Sequence, residues 1–292
     1  ATIGGAQRKM MAVRHHLDAR VFRPPIRRES STHIVKLPNE RRFPGIIQNE
    51  FMNIVATNAL LPNDQTVEAE ISAWTPSMWL KDDVTETQQA LFIERFDRLP
   101  NGGRIHFEEA LQAMHRLSSG KYDSSYRELG NLLRPHIGHE GIITLFKRIL
   151  TQFMLGNSDG HLKNFAIWQK DGKWSLTPNY DLVTDENYES HDLQLDVPLE
   201  IRGRKPHLGT LNARDVIALG QDLQLSTDEI KQAVYELKER IPNVKQEIKE
   251  IHNAWVRKKD RTTMLARLDA RAERLFKGLD RLCDIPPGTR GE

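Results

Sequence analysis

Gly156-Asn-Ser-Asp159-Gly-His161-Leu-Lys-Asn164-Phe165 is the stretch on which the reading of this chain turns. It sets an acid, an imidazole, an amine and an amide within a few positions at the end of an apolar helical segment, and a structural turn rarely needs all four. Downstream, Phe165-Ala-Ile-Trp-Gln and Trp174-Ser-Leu-Thr are β-prone runs on either side of Asp171-Gly172, and an Asp-Gly pair in that setting is a strong hairpin signal. The hairpin leads to Tyr180-Asp181-Leu182, so a second carboxylate can return to the place where the loop began.

An Asp followed five residues later by an Asn is the layout of a kinase catalytic loop, in which the carboxylate faces the substrate hydroxyl and the amide oxygen turns to magnesium. Asp159, Asn164, the hairpin and Asp181 repeat that order, because phosphoryl transfer needs positioning and charge neutralisation more than covalent chemistry. The spacing alone is common by chance; the order with Asp181 attached adds the specificity. Upstream, Lys36 lies in the apolar run His33-Ile-Val-Lys-Leu37. A lysine head there either meets an anion such as a nucleotide phosphate or snorkels to water from an edge strand, and the local sequence leaves both open. Glu50, near the start of a helical stretch, is either the partner that holds such a lysine or an ordinary surface glutamate. Gly4-Gly5-Ala6-Gln7 can bring backbone N–H groups close to phosphates, a weak signal on two glycines. Glu94-Arg-Phe96-Asp-Arg98 can offer backbone groups and a ring to adenine, or form a solvated ion-pair cluster at a strand end.

The 292 residues suffice for one or two domains, or two lobes around a cleft. With 42 basic and 40 acidic residues the net charge is +2, so there is no global field for DNA, only local patches such as Arg27-Arg28 or Arg257-Lys258-Lys259. The single cysteine, Cys283, excludes an intrachain disulfide and fits a reducing compartment, which makes the cytoplasm the expected location. No apolar run approaches the roughly 18 residues of a membrane span, and no stretch resembles a signal peptide. The histidines lack paired zinc spacing, and neither a Gly-x-Ser-x-Gly elbow nor a Walker A motif is present.

Pattern places strands at residues 9–13, 32–37, 67–71 and 90–96 and a helix at 49–60. Beyond Asp97, apolar spacing of three and four predicts helices at 106–116, 126–133 and 141–155. Ser226-Thr-Asp-Glu229 is a capping box for a helix striped by Ile230, Val234, Leu237 and Ile241, and 254–282 reads as a basic amphipathic helix. The expected fold is α/β and two-lobed: a β-rich N-lobe over residues 1–98, a helical C-lobe over 99–292, and an ATP cleft between them.

Taken in order, Ile3-Gly-Gly-Ala-Gln-Arg-Lys9, Ser31-Thr-His-Ile-Val-Lys-Leu-Pro38, Asn49-Glu50, Ile93-Glu-Arg-Phe-Asp-Arg98, the Gly156–Phe165 loop and Leu176-Thr-Pro-Asn-Tyr-Asp-Leu182 resemble the HipA kinases of bacterial toxin-antitoxin systems. The resemblance implies a Ser/Thr protein kinase in which Lys36 and the glycine-containing loop (Gly4, Gly5, Ala6, Gln7) bind the ATP phosphates. Glu94 to Phe96 would flank adenine, His161 line the nucleotide site, Asp159 act as base, Asn164 and Asp181 hold Mg2+, and Glu50 support Lys36. Where the family carries a regulatory autophosphorylated serine, this chain has Thr2 beside Ala1. The family's small N-terminal subdomain has no counterpart ahead of the glycines, so the chain is similar either to HipT, the shortened kinase of three-component systems, or to a trimmed HipA. The implied partners are a helix-turn-helix HipB-like antitoxin, with DNA reached only through that complex, and a HipS-like small protein. The implied substrate is an aminoacyl-tRNA synthetase, the tryptophanyl enzyme favoured over the glutamyl one. Two other readings stand beside this one: a small-molecule kinase similar to aminoglycoside phosphotransferases, and a non-catalytic corepressor.

Overall fold

Period-two alternation organises the first part of the molecule. In the computed structural model, which describes residues 7–14, 22–74, 88–99, 102–191 and 195–283, five antiparallel strands form one sheet. They are β1 (Lys9–Arg14), β2 (Phe22–Arg23), β3 (His33–Lys36), β4 (Ala69–Trp74) and β5 (Gln88–Glu94), in the order β2-β1-β3-β5-β4. Successive side chains alternate between faces. Val35, Ala90, Phe92 and Trp74 accordingly close a small core on one face, while Ile34, Lys36 and Ile93 turn to a cleft on the other. The register sets Lys36 opposite Lys9 on one side and Leu91 on the other. Lys36 is therefore on an interior strand, which removes the edge-strand alternative.

Two boundaries differ from the sequence expectation. The strand expected at 67–71 runs from Ala69 to Trp74, because Val67 donates its N–H to the Asn179 carbonyl and Thr66 bridges to Asn179, joining the sheet to the second lobe. Helix α1 (Ile46–Leu60) starts three residues before 49, following Gly45 at φ 70°. It buries Asn49, Glu50, Asn53 and Thr57 as well as its apolar positions, because it is packed on more than one side.

The expected helix at 106–116 does not form as such. Residues Phe107–Glu109 make strand β6, followed by the short helix α2 (Ala110–Ala113). Local spacing of apolar residues could not foresee that β6 pairs with β7 (Ala166–Lys170), which continues through the Asp171-Gly172 turn into β8 (Lys173–Leu176). The turn itself is as expected: Asp171 and Gly172 take φ of 52° and 75°, and Lys170 faces Lys173. The second lobe is thus helical around a three-stranded sheet. Helix α3 (Tyr126–Leu155) is kinked at Gly138 (φ 68°), which accounts for the two separate helical patterns read there. Then come α4 (Ala213–Asp222), α5 (Thr227–Glu250), α6 (Lys258–Phe276) and α7 (Leu279–Cys283). Ser226 caps α5 as expected, accepting from the Glu229 N–H at 3.3 Å, while Gly278 at φ 72° divides the single helix expected at 254–282. Among the described residues, no helix is long and apolar enough to cross a membrane.

Away from the cleft, a buried ion pair ties the lobes. Arg148, on α3, meets Asp64 just after α1 through two hydrogen bonds of 2.6 and 2.5 Å, and Asn179 Nδ2 donates to the same carboxylate at 3.0 Å. The Arg148 side chain is only 3% exposed. Asp64→Ala would strand a buried guanidinium, and removal of one partner from such a pair costs about 3 kcal/mol. The expected outcome in urea unfolding is a lower midpoint, with Arg148→Met/Asp64→Leu recovering most of the loss.

Candidate active site

The long apolar half of α3 ends at Gly156, which adopts φ 77° and lets the chain turn sharply into the polar loop. Asn157 Oδ1 accepts from the Asp159 N–H at 2.8 Å, and Asn164 Oδ1 accepts from the His161 N–H at 3.1 Å, so the loop is braced by its own side chains. The β7–β8 hairpin then returns the chain, and Tyr180 donates its hydroxyl to the Lys163 carbonyl at 2.6 Å, which sets Asp181 against the loop. Asp181 holds φ 57°, a left-handed conformation uncommon outside glycine.

A cleft of about 500 Å³ results, bounded by the cleft face of the sheet, the segment after β5 and this loop. Lys36, Glu94, Phe96, Asp159, His161, Asn164 and Asp181 all line it. Glu50 stands behind Lys36, fully buried. Gln7 does not line the cleft: its Nε2 donates to the Leu37 carbonyl at 3.1 Å and fastens the start of β1 to the end of β3. Thr2, Gly4, Gly5 and Ala6 lie outside the described residues.

Electrostatics centre on Lys36. Its Nζ contacts Glu50 Oε1 at 2.5 Å and Asp181 Oδ1 at 2.6 Å. Burial by itself would push the ammonium down, but Asp181 and Glu50 more than reverse this and hold it above the ordinary lysine value. Burial raises Glu50; for Asp181 the opposing charges of Lys36 and Lys9 outweigh burial and hold its carboxyl well below the usual range. Lys36 is therefore held between two carboxylates, Asp181 towards the cleft and Glu50 from behind. Helix α1 also secures the segment after Asp181: Asn49 Nδ2 donates to the Thr184 carbonyl and the Thr184 N–H to Asn49 Oδ1, both at 2.9 Å.

Several residues at this site carried no sequence signal. Tyr122 donates its hydroxyl to Asp159 Oδ1, and burial together with the Asp159 charge keeps it a phenol. Lys121 Nζ lies 3.9 Å from the same oxygen, and the Leu162 N–H donates to the Lys121 carbonyl at 3.1 Å, pinning this dipeptide to the loop. Tyr122 precedes Asp159 by 37 residues, so no local pattern relates them. Asp97, Glu109 and Lys9 line the cleft too, and Asp97 is held by Arg95 and Arg98 at 2.8 and 2.5 Å. That ion-pair cluster and the cleft wall are one structure rather than alternatives. His161 is held down to about 4 by burial and by Lys121, so it is neutral at pH 7 and its approach to Asp159 at 3.8 Å is not an ion pair.

Asp185 lies beneath the loop, where its Oδ2 accepts from the Ser158 N–H and hydroxyl at 2.6 and 2.9 Å. Burial first, and then the Asp159 charge, raise its carboxyl to about 7. A raised acid binds its proton more tightly folded than unfolded, so its contribution is full below pH 4 and is lost as pH rises through about 7. Thermal midpoints from pH 5 to 8 should fall for this reason, and Asp185→Asn, which keeps an acceptor for Ser158, should flatten that fall.

Among the described residues, no group of three or more His, Cys, Asp or Glu side chains could hold a metal. The Asn164 amide and the Asp181 carboxylate instead form a sparse hard-oxygen pair. That suits Mg2+, which takes few protein ligands and draws the rest from water and phosphate.

A family model described as HipA-like C-terminal domain matches residues 1–245. The chain belongs to that family. Y4dM of Sinorhizobium fredii is 28% identical over 193 residues, 64% of this chain and 46% of that protein. The Shewanella oneidensis serine/threonine-protein kinase toxin HipA is 25% identical over 193 residues, 59% of this chain and 41% of that one. The chain thus spans less than half the length of these curated relatives. Among solved structures, HipA from the Shewanella oneidensis MR-1 complex of HipA, HipB and operator DNA superposes with a TM-score of 0.76 at 22% identity, covering 98% of this chain and 68% of that one. The Helicobacter pylori proinflammatory kinase CtkA gives 0.59 at 11% identity, covering 86% and 90%. At these identities the likeness establishes the fold, a two-lobed kinase-like one shared with HipA.

Proposed function

We propose that this HipA-family chain is an ATP-dependent serine/threonine protein kinase with its lobe boundary near residue 98. The observation that carries the reading is the convergence of Lys36, the Asp159–Asn164 loop and Asp181, from three separate parts of the chain, on one cleft. Phe96 and the backbone of Glu94 to Phe96 flank the adenine, and the phosphate role of Gly4, Gly5 and Ala6 stays the one the family resemblance implies. Lys36, anchored by Glu50 and Asp181, meets the phosphate oxygens, with Lys9, Lys121 and Lys163 adding positive charge along the same wall. Asn164 and Asp181 would hold Mg2+, which supplies neutralisation of charge developing on the transferred group. Asp159 accepts the proton of the attacking hydroxyl, neutral His161 lines the nucleotide site without competing for that role, and Tyr122 fixes the rotamer of the Asp159 carboxylate.

The protein substrate favoured is an aminoacyl-tRNA synthetase, tryptophanyl before glutamyl, whose modification would block tRNA charging in the cytoplasm. A HipB-like antitoxin is the proposed partner, supported by the HipA neighbour that was solved with HipB and operator DNA. A HipS-like small partner protein and autophosphorylation at Thr2 complete this reading. Transfer of labelled γ-phosphate from Mg-ATP into a panel of purified synthetases tests it. Labelling of one synthetase supports the proposal; labelling of aminoglycosides alone would replace it with a small-molecule kinase, and intact ATP binding without any transfer would favour a corepressor. Tyr122→Phe removes one hydrogen bond to a charged acceptor, a loss of about 2 kcal/mol. Its transfer rate should drop by more than about tenfold with KM for ATP unchanged.

A further inference from the structure

A second cavity, of about 370 Å³, lies on the far side of α1 from the cleft, between that helix, the segment following Asp181, and α6. Its wall carries the side chains of Arg257, Lys259, Arg267 and Arg271 against one lining acid, Asp260. Arg271 is buried and pairs with Glu186, and Arg267 Nε approaches the same Glu186 carboxylate at 3.4 Å, so two guanidiniums share one carboxylate. Lys259, exposed at the mouth, makes no ion pair among the described residues. Guanidinium forks match the paired oxygens of a phosphate, and unneutralised positive charge in a concave wall attracts a multiply charged anion.

We propose that this cavity is a regulatory site for a small phosphorylated molecule. Its volume is within the range of sites that enclose a metabolite-sized ligand, and its floor is polar and ordered: Asn49, Asn53 and Thr184 line it and are bonded to one another. The route to the cleft is through Arg271. That side chain donates to the Met154 carbonyl at 3.3 Å and lies so close over Gly156 that a Cβ there would stand 2.5 Å from its Nη2. A phosphate taking Arg267 and Arg271 from Glu186 therefore acts at once on the end of α3, where the Asp159 loop begins, and on the segment that follows Asp181. The binding claim is independent of the kinase reading; the effect on phosphate transfer rests on it.

The experiment is equilibrium dialysis of labelled pyrophosphate against the full chain, bare and saturated with a non-hydrolysable Mg-ATP analogue, in parallel with Arg257→Glu/Lys259→Glu. Both substituted residues are exposed and outside the cleft, so analogue binding should not change, and the unfolding midpoint should move little because the Arg257–Asp260 pair that is lost is a solvent-exposed one. One equivalent of pyrophosphate should bind the saturated wild-type chain, at least about tenfold more weakly in the double variant. Equal binding by both, or none by the saturated chain, overturns the site. If the analogue itself fails to bind, the kinase reading fails, while the comparison of bare wild type and variant still decides the cavity. At fixed free Mg2+, pyrophosphate should alter the transfer rate several-fold in the wild type alone; binding without that change overturns the regulatory role.

Discussion

Asp159→Asn should transfer phosphate about 10²- to 10⁴-fold more slowly than the wild-type chain, the range expected for loss of a positioned general base. The amide is nearly isosteric and can still accept from the Tyr122 hydroxyl, so the loop should hold its shape. ATP affinity should survive, since Lys36, Asn164 and Asp181 are untouched and the nucleotide meets Asp159 only through the hydroxyl it receives. Single-turnover transfer of labelled γ-phosphate, measured beside nucleotide binding by calorimetry, separates the two quantities. A variant that binds ATP as before and transfers at the wild-type rate would remove Asp159 from the chemistry, and with it the assignment of the whole loop.

Lys36→Met should be the most damaging single change for stability and for nucleotide binding together. The Lys36 side chain is 5% exposed and Glu50 is 0% exposed, so removing the ammonium leaves Glu50 with no counter-charge at a site water cannot reach. Breaking a buried pair in this way costs about 3–5 kcal/mol. For a chain of this size that corresponds to a fall in Tm on the order of 10 °C. Asp181 contributes less to the loss, since its side chain is 26% exposed and solvent can screen it. The double substitution Lys36→Met/Glu50→Gln should therefore recover much of the stability but none of the ATP affinity. Recovery of both would mean that Lys36 serves the fold alone.

The order of chemistry-bearing residues was already legible in the sequence. Asp159 and Asn164 lie within one loop, the Asp171-Gly172 turn fixes the hairpin after it, and a hairpin of set length must deliver Asp181 back to its starting end, so local rules were enough to bring these three together. Lys36 was legible only as a question. Its strand was clear from apolar alternation, but whether that strand is an edge or an interior one depends on β1 and β5, and the β5 pairing joins positions more than 50 residues apart. The same reason explains β6: its spacing suits a helix, and it becomes a strand only because the hairpin presents an edge to it.

What the sequence by itself determined was the chemistry available and the succession in which it arrives, since these follow from residue type, turn preference and periodicity. What only the tertiary structure decided was which distant groups meet: Glu50 behind Lys36, Tyr122 on Asp159, Arg271 over Gly156. Those meetings depend on how buried charges find partners once the core has closed, and a charge in a low-dielectric interior takes whichever partner the packing brings within reach, whatever its distance along the chain.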